Sequence, residues 1–470
     1  MKRLILLVML GLLTASLAFA GQTSLTKMIL PMGKSMEGGI AVNPVTHKAY
    51  VIAELAAEGA DDEKVIFVFD NDSLNAKSAP KKLGLPLATT HPVKVIPILN
   101  ENEYIAIDSI RNLVYVGTKF SVEQDESDTG DDEGGGGDVE PPGGEEPPEL
   151  APVTSLEPVP VILGTLTVID GNTDTVIDTW YFSPGIEPEG VAVDPATGVV
   201  YLGAKAPEGE AADDLTCTSG TPIPDIAEPG DVECWTGGYI YAFFADPAGE
   251  RIITWLKTIP AGDDPESVVF VSGKVYAANE DDGTVTIASA VTRCETGWCG
   301  GDLLTNPPAP LVSYSLHVFS YANTLACIEN QFEADKMAAG GGSVFVTDDR
   351  SRVAKITGTA VVSTVEVPGA TVCETIPNTD GGGLNTSNNI AFMQRGDRQL
   401  LYVASEQNTV AIFNPATMTQ KATITIPGAQ HIDGIAIDAP ANRVWLTDEV
   451  VQAVFVLQGA CANGTGACIP

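Results

Sequence analysis

Basic side chains are scarce in this sequence. Across 470 residues, 25 lysines and arginines stand against 62 aspartates and glutamates, there are only four histidines, and the formal net charge is −37. A chain this acidic repels phosphate backbones and anionic headgroups, which argues against nucleic-acid and peripheral-membrane binding. After the first twenty residues no run of about 18 apolar residues follows, so nothing in the mature chain reads as a transmembrane segment. G-x-S-x-G, H-E-x-x-H, the EF-hand spacing and a phosphate-cradling glycine loop with its lysine are all absent. Gly134 to Gly137 fall in an acidic tract and Gly340 to Gly342 in a loop, so neither group is a nucleotide fingerprint. No C-x-x-C-H haem arrangement occurs, and no helical periodicity rivals the alternation described below. What is plentiful is apolar residues (44%), glycine (47) and proline (32), too much hydrophobicity for wholesale disorder.

The ends of the chain have their own logic. Lys2 and Arg3 precede the apolar run Leu4 to Leu13, and Ala18-Phe19-Ala20 follows before Gly21. This is the pattern of a secretory signal peptide over residues 1–20, so an exported protein is expected: extracellular, at the cell surface or periplasmic. The eight cysteines suit an oxidising compartment and fall as Cys217 and Cys234, Cys294 and Cys299, Cys327 and Cys373, Cys461 and Cys468. Their spacing suggests pairing between neighbours, although eight cysteines allow about 105 connectivities. A four-cysteine zinc site is the alternative, and it lacks any C-x2-C knuckle.

Internal repeats decide the fold. A strand, a polar turn and a Tyr- or Val-rich second strand recur at 39–54, 104–119, 190–205, 267–280, 336–349, 389–406 and 434–449. Third strands follow, as at 64–71, 164–172, 238–246, 283–289, 408–415 and 452–458, and fourth strands at 175–182, 251–260, 360–368 and 421–427. Apolar alternation bounded by Asn-Pro, Asp-Pro, Ser-Gly and Gly-Asp turns is a hairpin signal. Seven four-stranded antiparallel units imply an all-β protein, a seven-bladed β-propeller over residues 21–459, with a Cys-bearing tail at 460–470. The last unit runs out of chain after its third strand. Thr26-Lys27-Met28-Ile29-Leu30-Pro31 resembles the fourth strands, so the N-terminal strand is expected to close the ring.

These repeats resemble the YVTN-type repeat β-propellers of bacteria and archaea. The resemblance is carried by Pro188-Glu189-Gly190-Val191-Ala192-Val193-Asp194-Pro195-Ala196-Thr197-Gly198 with Val200-Tyr201-Leu202, by Leu166 to Asp170, and by Asn408 to Thr417. It covers nearly the whole mature chain and implies the fold. Relatives of that repeat include cell-surface proteins, subunits of periplasmic oxidoreductases and lactonase-like enzymes, so it implies no single activity.

In a propeller blade, strands a to d run outward from the axis. The b–c and d–a connections share one end of the channel, and the a–b and c–d turns share the other. Long excursions are expected at the first end: near Glu54 to Glu63, roughly Phe120 to Leu163, and Ala206 to Gly237 with Cys217 and Cys234. Cys327 and Cys373 fall in successive d–a connections, where a bridge would staple neighbouring blades. The stretch from Glu123 to Glu149 holds 12 acidic and no basic residues. Its composition predicts a disordered loop insertion in blade 2 at 121–150, which concentrates about a third of the net charge.

The same end carries a second pattern. The residue before each inner strand is Glu103, Glu189, Glu266, Asp335, Asn388 and Asp433 in blades 2 to 7, while blade 1 has Gly38 with Glu37 one step back. Carboxylates converging on a channel mouth need a counter-charge, and a divalent cation such as calcium with oxygen ligands is the expected one. The plain alternative is a repeat consensus that only accepts backbone N–H bonds. No nucleotide-binding motif is indicated. Of the histidines, His47 falls in an a–b turn, His91 in a connector and His317 in a strand, and only His431 lies near the acidic positions. Two functions follow from these features. The first is a secreted, non-catalytic scaffold that offers its loop-bearing end to a protein or glycan partner. The alternative is a metal-dependent lactonase-like hydrolase with its metal at the channel mouth, polarising a carbonyl.

Overall fold

A computed structural model describes residues 24–29, 33–35, 39–55, 63–70, 92–98, 104–118, 163–183, 185–205, 237–249, 252–280, 283–291, 314–317, 334–348, 352–367, 389–405 and 407–459. Their secondary structure is all β. β1 (Ser24–Ile29) opens the chain, and blade 1 holds β2 (Gly33–Ser35), β3 (Ile40–Val42), β4 (Ala49–Leu55), β5 (Glu63–Phe69) and β6 (Lys94–Pro97). Blade 2 is β7 (Tyr104–Asp108), β8 (Leu113–Thr118), β9 (Thr165–Asp170) and β10 (Thr175–Tyr181). Blade 3 is β11 (Glu187–Val193), β12 (Val199–Lys205), β13 (Tyr239–Ala245) and β14 (Ile253–Pro260). Blade 4 is β15 (Pro265–Val271), β16 (Lys274–Asn279), β17 (Thr284–Ser289) and β18 (Tyr314–His317). Blade 5 is β19 (Met337–Gly340), β20 (Ser343–Thr347), β21 (Arg352–Thr357) and β22 (Ala360–Glu366). Blade 6 is β23 (Asn389–Arg395), β24 (Arg398–Ala404), β25 (Thr409–Asn414) and β26 (Thr419–Thr425). Blade 7 is β27 (Ile432–Asp438), β28 (Arg443–Asp448) and β29 (Ala453–Gln458).

Neighbouring strands within each blade pair antiparallel, and blade 7 is completed by β1, which pairs with β29 from Ser24↔Gln458 to Ile29↔Ala453. The ring therefore closes through the N-terminal strand, as its resemblance to the fourth strands predicts. Blade 1 departs from the repeat. Its inner edge is split, with both β2 and β3 pairing to β4.

The a–b turns show why the sequence breaks where it does. Each contains at least one residue with positive φ: His47, Asn112, Gly198, Ser272 with Gly273, Gly341 with Gly342, Gly396 and Asn442. Left-handed backbone is tolerated by Asn and His as well as Gly, and it bends the chain back in register with the strand twist. The Asn or Asp that ends strand a supplies the other half of the turn. Asn43 Oδ1 accepts from Val45 N at 2.9 Å, Asp108 Oδ1 from Ile110 N at 2.9 Å, and Asp194 Oδ1 from Ala196 N at 3.0 Å.

The core is not inside the blades but between them. Apolar clusters of buried side chains occupy all seven junctions. In the junction of blades 6 and 7, Tyr402, Ile412 and Met393 meet Leu446, Phe455 and Ile435. Second-strand tyrosines reach across as well. Tyr50 OH donates to Asp174 Oδ1 at 2.9 Å, Tyr276 OH donates to the Gly358 carbonyl at 2.8 Å, and Tyr201 OH accepts from Val291 N at 2.8 Å. Burial pushes the Tyr201 phenol up to about 12, so it stays a neutral bonding group. β1 serves two junctions at once. Leu25 packs between blades 6 and 7, and Met28 packs between blades 7 and 1 with Trp445, Val454 and Phe67.

Met28→Ala should therefore destabilise the whole ring, by about 2–5 kcal/mol for a buried methionine. Chemical denaturation should show one cooperative transition at lower denaturant with an unchanged slope. Loss confined to a separate minor transition would show instead that blade 7 folds independently of the strand that completes it.

Candidate functional site

Strand a does not enter the channel smoothly. In blade 4, Pro265 pairs with Asn279 and Ser267 with Ala278, which leaves Glu266 as the extra residue of a β-bulge. In blade 7, Ile432 pairs with Asp448 and Gly434 with Thr447, leaving Asp433. In blade 3 the register slips between Pro188 and Val191, across Glu189 and Gly190. Three of the acidic positions are thus bulge residues, and a bulge re-aims the side chain it frees. The small residue that follows has its own cause. A Cβ on Gly190 would stand 2.5 Å from the Glu266 carbonyl oxygen and from Val268 N, so the inner strands of blades 3 and 4 come together only over a glycine.

Glu189, Glu266 and Asp335 are 1%, 8% and 3% exposed, and Asp433 is half-buried. At two of these positions the counter-charge belongs to the chain itself. Lys336 Nζ donates to Glu266 Oε1 and lies against Asp335 Oδ1, each at 2.7 Å. Tyr104 OH, from blade 2, donates to the same Glu266 Oε1 at 2.6 Å, and Lys336 Nζ stands 5.4 Å from the centre of the Tyr104 ring. Blade 5 adds a backbone tie, with Met337 N donating to Ser267 Oγ at 3.0 Å. Burial alone would raise the Glu266 carboxyl. The Lys336 ammonium and the hydrogen bonds from Lys336 and Tyr104 outweigh it and hold Glu266 well below the usual carboxylate range. Burial would likewise lower Lys336, but Asp335 and Glu266 keep its pKa well above that of an ordinary lysine.

Around this group the channel mouth opens into a cavity of about 600 Å³ lined by all seven blades. Asp335 and Asp433 face it, together with Lys336, Glu280 and Glu449. Of the other acidic-ring positions, Glu103 and Asn388 lie outside the described residues. Among the described residues no group of three or more His, Cys, Asp or Glu side chains is arranged to hold a metal ion. His431 is at this end, its Nδ1 3.5 Å from Glu449 Oε1. His47 is at the opposite end, 2.8 Å from the fully buried Asp438 Oδ2, where it ties blade 1 to blade 7. His317 is in β18 and His91 lies outside the described residues. So do all eight cysteines, the N-terminal twenty residues, the 121–150 tract and the 460–470 tail.

Three contributors were not singled out from the sequence, and one pattern could have found them. The position after each acid is small in four blades: Gly39, Gly190, Ser267 and Gly434. In blades 2, 5 and 6 it is Tyr104, Lys336 and Asn389. All three line the cavity, and each makes a polar bond across the mouth, Asn389 Nδ2 donating to the Asp433 carbonyl. The connections also differ from expectation in distribution. Long ones leave the mouth end at 119–164, 206–238, 318–336 and 368–388, but two more, 70–93 and 290–313, join strands c and d at the opposite end.

Lys336→Met should destabilise the fold by about 3 kcal/mol at pH 7, the low end for stripping one partner from a buried pair. The pH dependence gives a sharper reading. In the wild type, Glu266 has a depressed pKa, so its contribution is full above about pH 4.3 and fades only as pH falls through the folded value. Lys336 has a raised pKa, so its contribution is full below about pH 10.4 and fades as pH rises through the folded value. Between those limits this cluster adds no slope. In Lys336→Met the two carboxylates are buried without their cation and bind protons more readily when folded. The deficit against wild type should therefore shrink from pH 7 to pH 5, measured by urea denaturation; an equal deficit at both would break the pairing argument.

No protein-family model matches the chain, and no curated protein matches its sequence. Solved structures do match its shape. The crystal structure of the RRP9 WD40 repeats aligns over 93% of this chain and 99% of its own with a TM-score of 0.52 at 9% identity. The structure of U3-55K aligns over 92% and 98%, with a TM-score of 0.51 at 9% identity. A chain of the mitotic checkpoint complex aligns over 93% and 92%, with a TM-score of 0.51 at 8% identity. At such identities the likeness is one of fold alone. Together with the seven antiparallel sheets, it establishes the chain as a seven-bladed β-propeller.

Proposed function

We propose that this protein is an exported, non-catalytic interaction scaffold that presents the channel-mouth end of its propeller to a partner protein. One observation carries the reading. Charged and phenolic groups at the mouth hold blades 2, 4 and 5 together: Lys336 pairs with Glu266 and Asp335, and Tyr104 donates to Glu266. An ammonium held between Glu266 and Asp335 stands where a metal bound by that pair would stand. The connections that vary most in length, 119–164 and 206–238, leave the same end, and loops on a rigid scaffold are where recognition is built. Export rests on the n-region, apolar run and Ala-x-Ala end of residues 1–20. The repeat residues quoted above support placement beside the YVTN-type propellers. One of the fold neighbours was solved within a complex, in keeping with the use of such rings as platforms.

The test uses the mature chain, residues 21–470, as bait for the envelope fraction of its source. Replacing 121–150 and 206–236 with short Gly-Ser links should abolish retention of the partner, while replacing 70–93 at the opposite end should not. Retention lost equally from either end would contradict the assignment of the working face. Turnover of a lactone panel that disappears with chelator would overturn the non-catalytic reading.

A further inference from the structure

Five arginines fall among the described residues, and three of them stand against an aspartate. Arg111 Nη1 is 2.8 Å from Asp108 Oδ2, Arg443 Nη1 is 4.0 Å from Asp438 Oδ2, and Arg352 Nε meets Asp348 Oδ2. Arg395 and Arg398, both exposed, have neither an ion pair nor a hydrogen bond among the described residues. They face each other across the a–b hairpin of blade 6 in the register Arg395↔Arg398. The two-residue turn Gly396-Asp397 joins them, with Gly396 at φ 59°. Asp397 at the tip makes no ion pair with either. Like charges directly opposite each other, with Cβ atoms about 5 Å apart, destabilise a strand pair. Among the described residues nothing offsets that repulsion.

Two departures of blade 6 from the repeat produce this arrangement. In blades 2, 3 and 7 the third residue after the cavity-lining aliphatic (Ile105, Val191, Ile435) is Asp108, Asp194 or Asp438, and it caps the turn. In blade 6 the same step from Ile390 leads to Met393, buried in the junction with blade 7, so no aspartate is there to take a guanidinium. The hairpin also runs on. Blades 4 and 5 turn after Val271↔Lys274 and Gly340↔Ser343, three residues past Val268 and Met337, whereas blade 6 turns five residues past Ile390. Its tip therefore projects about 7 Å further at the end opposite the mouth. Side chains alternate along a strand, so Arg395 and Arg398 share the face of Met393, Leu400 and Tyr402, which turns to blade 7. There blade 7 presents Ile437 and Ala439, while Asp438 between them is bonded to His47 of blade 1.

We propose that the blade 6 hairpin is a clamp for a phosphate monoester, held between the guanidinium groups of Arg395 and Arg398. A guanidinium offers a planar fork of N–H donors that matches the oxygens of phosphate or carboxylate. Two forks on directly opposite residues can engage one anion together. A phosphate monoester brings close to two negative charges at pH 7 and three acceptor oxygens, enough for both. A carboxylate brings one charge and two oxygens, which a single fork already satisfies. A dianion between the arginines replaces their repulsion by attraction to a shared centre, and a monoanion does so only in part. The net charge of −37 still opposes a polyanion, so the fitting ligand is one phosphoryl group and not a nucleic-acid backbone. The clamp stands at the other end of the ring from the mouth and is independent of the scaffold reading.

The probe is phenyl phosphate, titrated with the mature chain at low salt and followed by its phosphorus NMR signal, with benzoate, inorganic phosphate and an oligothymidylate as competitors. Saturable one-to-one binding is expected, and benzoate should displace the probe only at concentrations at least about tenfold higher. Arg395→Gln with Arg398→Gln should abolish binding and leave the urea midpoint at or above that of the wild type, because the repulsion is gone. Arg395→Lys with Arg398→Lys keeps both charges but loses the forks, and should weaken binding at least about fivefold. Lys421→Gln, which removes an exposed cation from β26 of the same blade, should change nothing. Equal displacement by benzoate, undiminished binding in the lysine pair or persistence of binding in the glutamine pair would each overturn the clamp. Tighter binding of inorganic phosphate would make the hairpin a site for the free ion, and tighter binding of the oligothymidylate would make it a nucleic-acid surface; either would end the monoester assignment. Should the glutamine pair fail to fold, the lysine pair and the competitor series decide alone. Partner retention at the mouth end is measured separately, so the scaffold reading stands whatever this titration shows.

Discussion

Burial between blades is the interaction on which everything else in this molecule depends. A four-stranded blade has two apolar faces and no core of its own. Tyr201 packs toward blade 4 with Ile240 and Val275, while Val200 and Leu202 pack toward blade 2 with Tyr115 and Leu166. Each face is stable only if a neighbour covers it, and the last blade needs the first. That condition gives β1 its importance beyond its six residues, because Leu25 and Met28 complete two junctions at the seam. Closing the ring also sets the channel. Seven inner strands drawn around one axis approach until backbone meets backbone, as Gly190 shows against Glu266 and Val268.

That closeness turns a repeat into an electrostatic problem. A repeat copies its consensus residue from blade to blade, and here an acid precedes the inner strand in five of the seven blades. Desolvation and mutual repulsion both push such carboxylates toward protonation. The structure answers by breaking the repeat at the next position. Lys336 replaces a glycine-like residue and pairs with both Glu266 and Asp335, and Tyr104 replaces another and donates to Glu266 from across the channel. The mouth is therefore asymmetric in charge although the ring is nearly symmetric in backbone.

Much of this was legible in the residues. Alternating strands, Asx-capped turns and a seventh unit short of one strand led to seven blades and to the N-terminal clasp, because each is a local pattern or a count. The acidic positions were legible too, as the residue before each inner strand. Their partners were not. Tyr104 and Glu266 are separated by 162 positions, and which of two side chains points into the channel depends on bulges that shift register by one residue. Periodicity alone cannot place a bulge. The need for a counter-charge followed from the carboxylates, but that an ammonium one residue from Asp335 meets it at Glu266 and Asp335 follows only from the closed ring. Length alone also failed to show that the connections 70–93 and 290–313 emerge at the far end, since that depends on finding the short fourth strands β6 and β18.

The acidity of the chain has two separate physical meanings. The tract between Glu123 and Glu149 is dense in carboxylates and glycines, a composition that favours solvation. At the mouth a handful of carboxylates face low-dielectric walls, where each unit of charge acts over a longer range and demands a specific partner. Salt would screen the first within about 10 Å at 0.1 M and touch the second far less. Net charge thus says little about recognition in this protein. What matters is where a carboxylate stands: Glu266 is set in place by a bulge and paired with Lys336, beside a cavity lined by all seven blades.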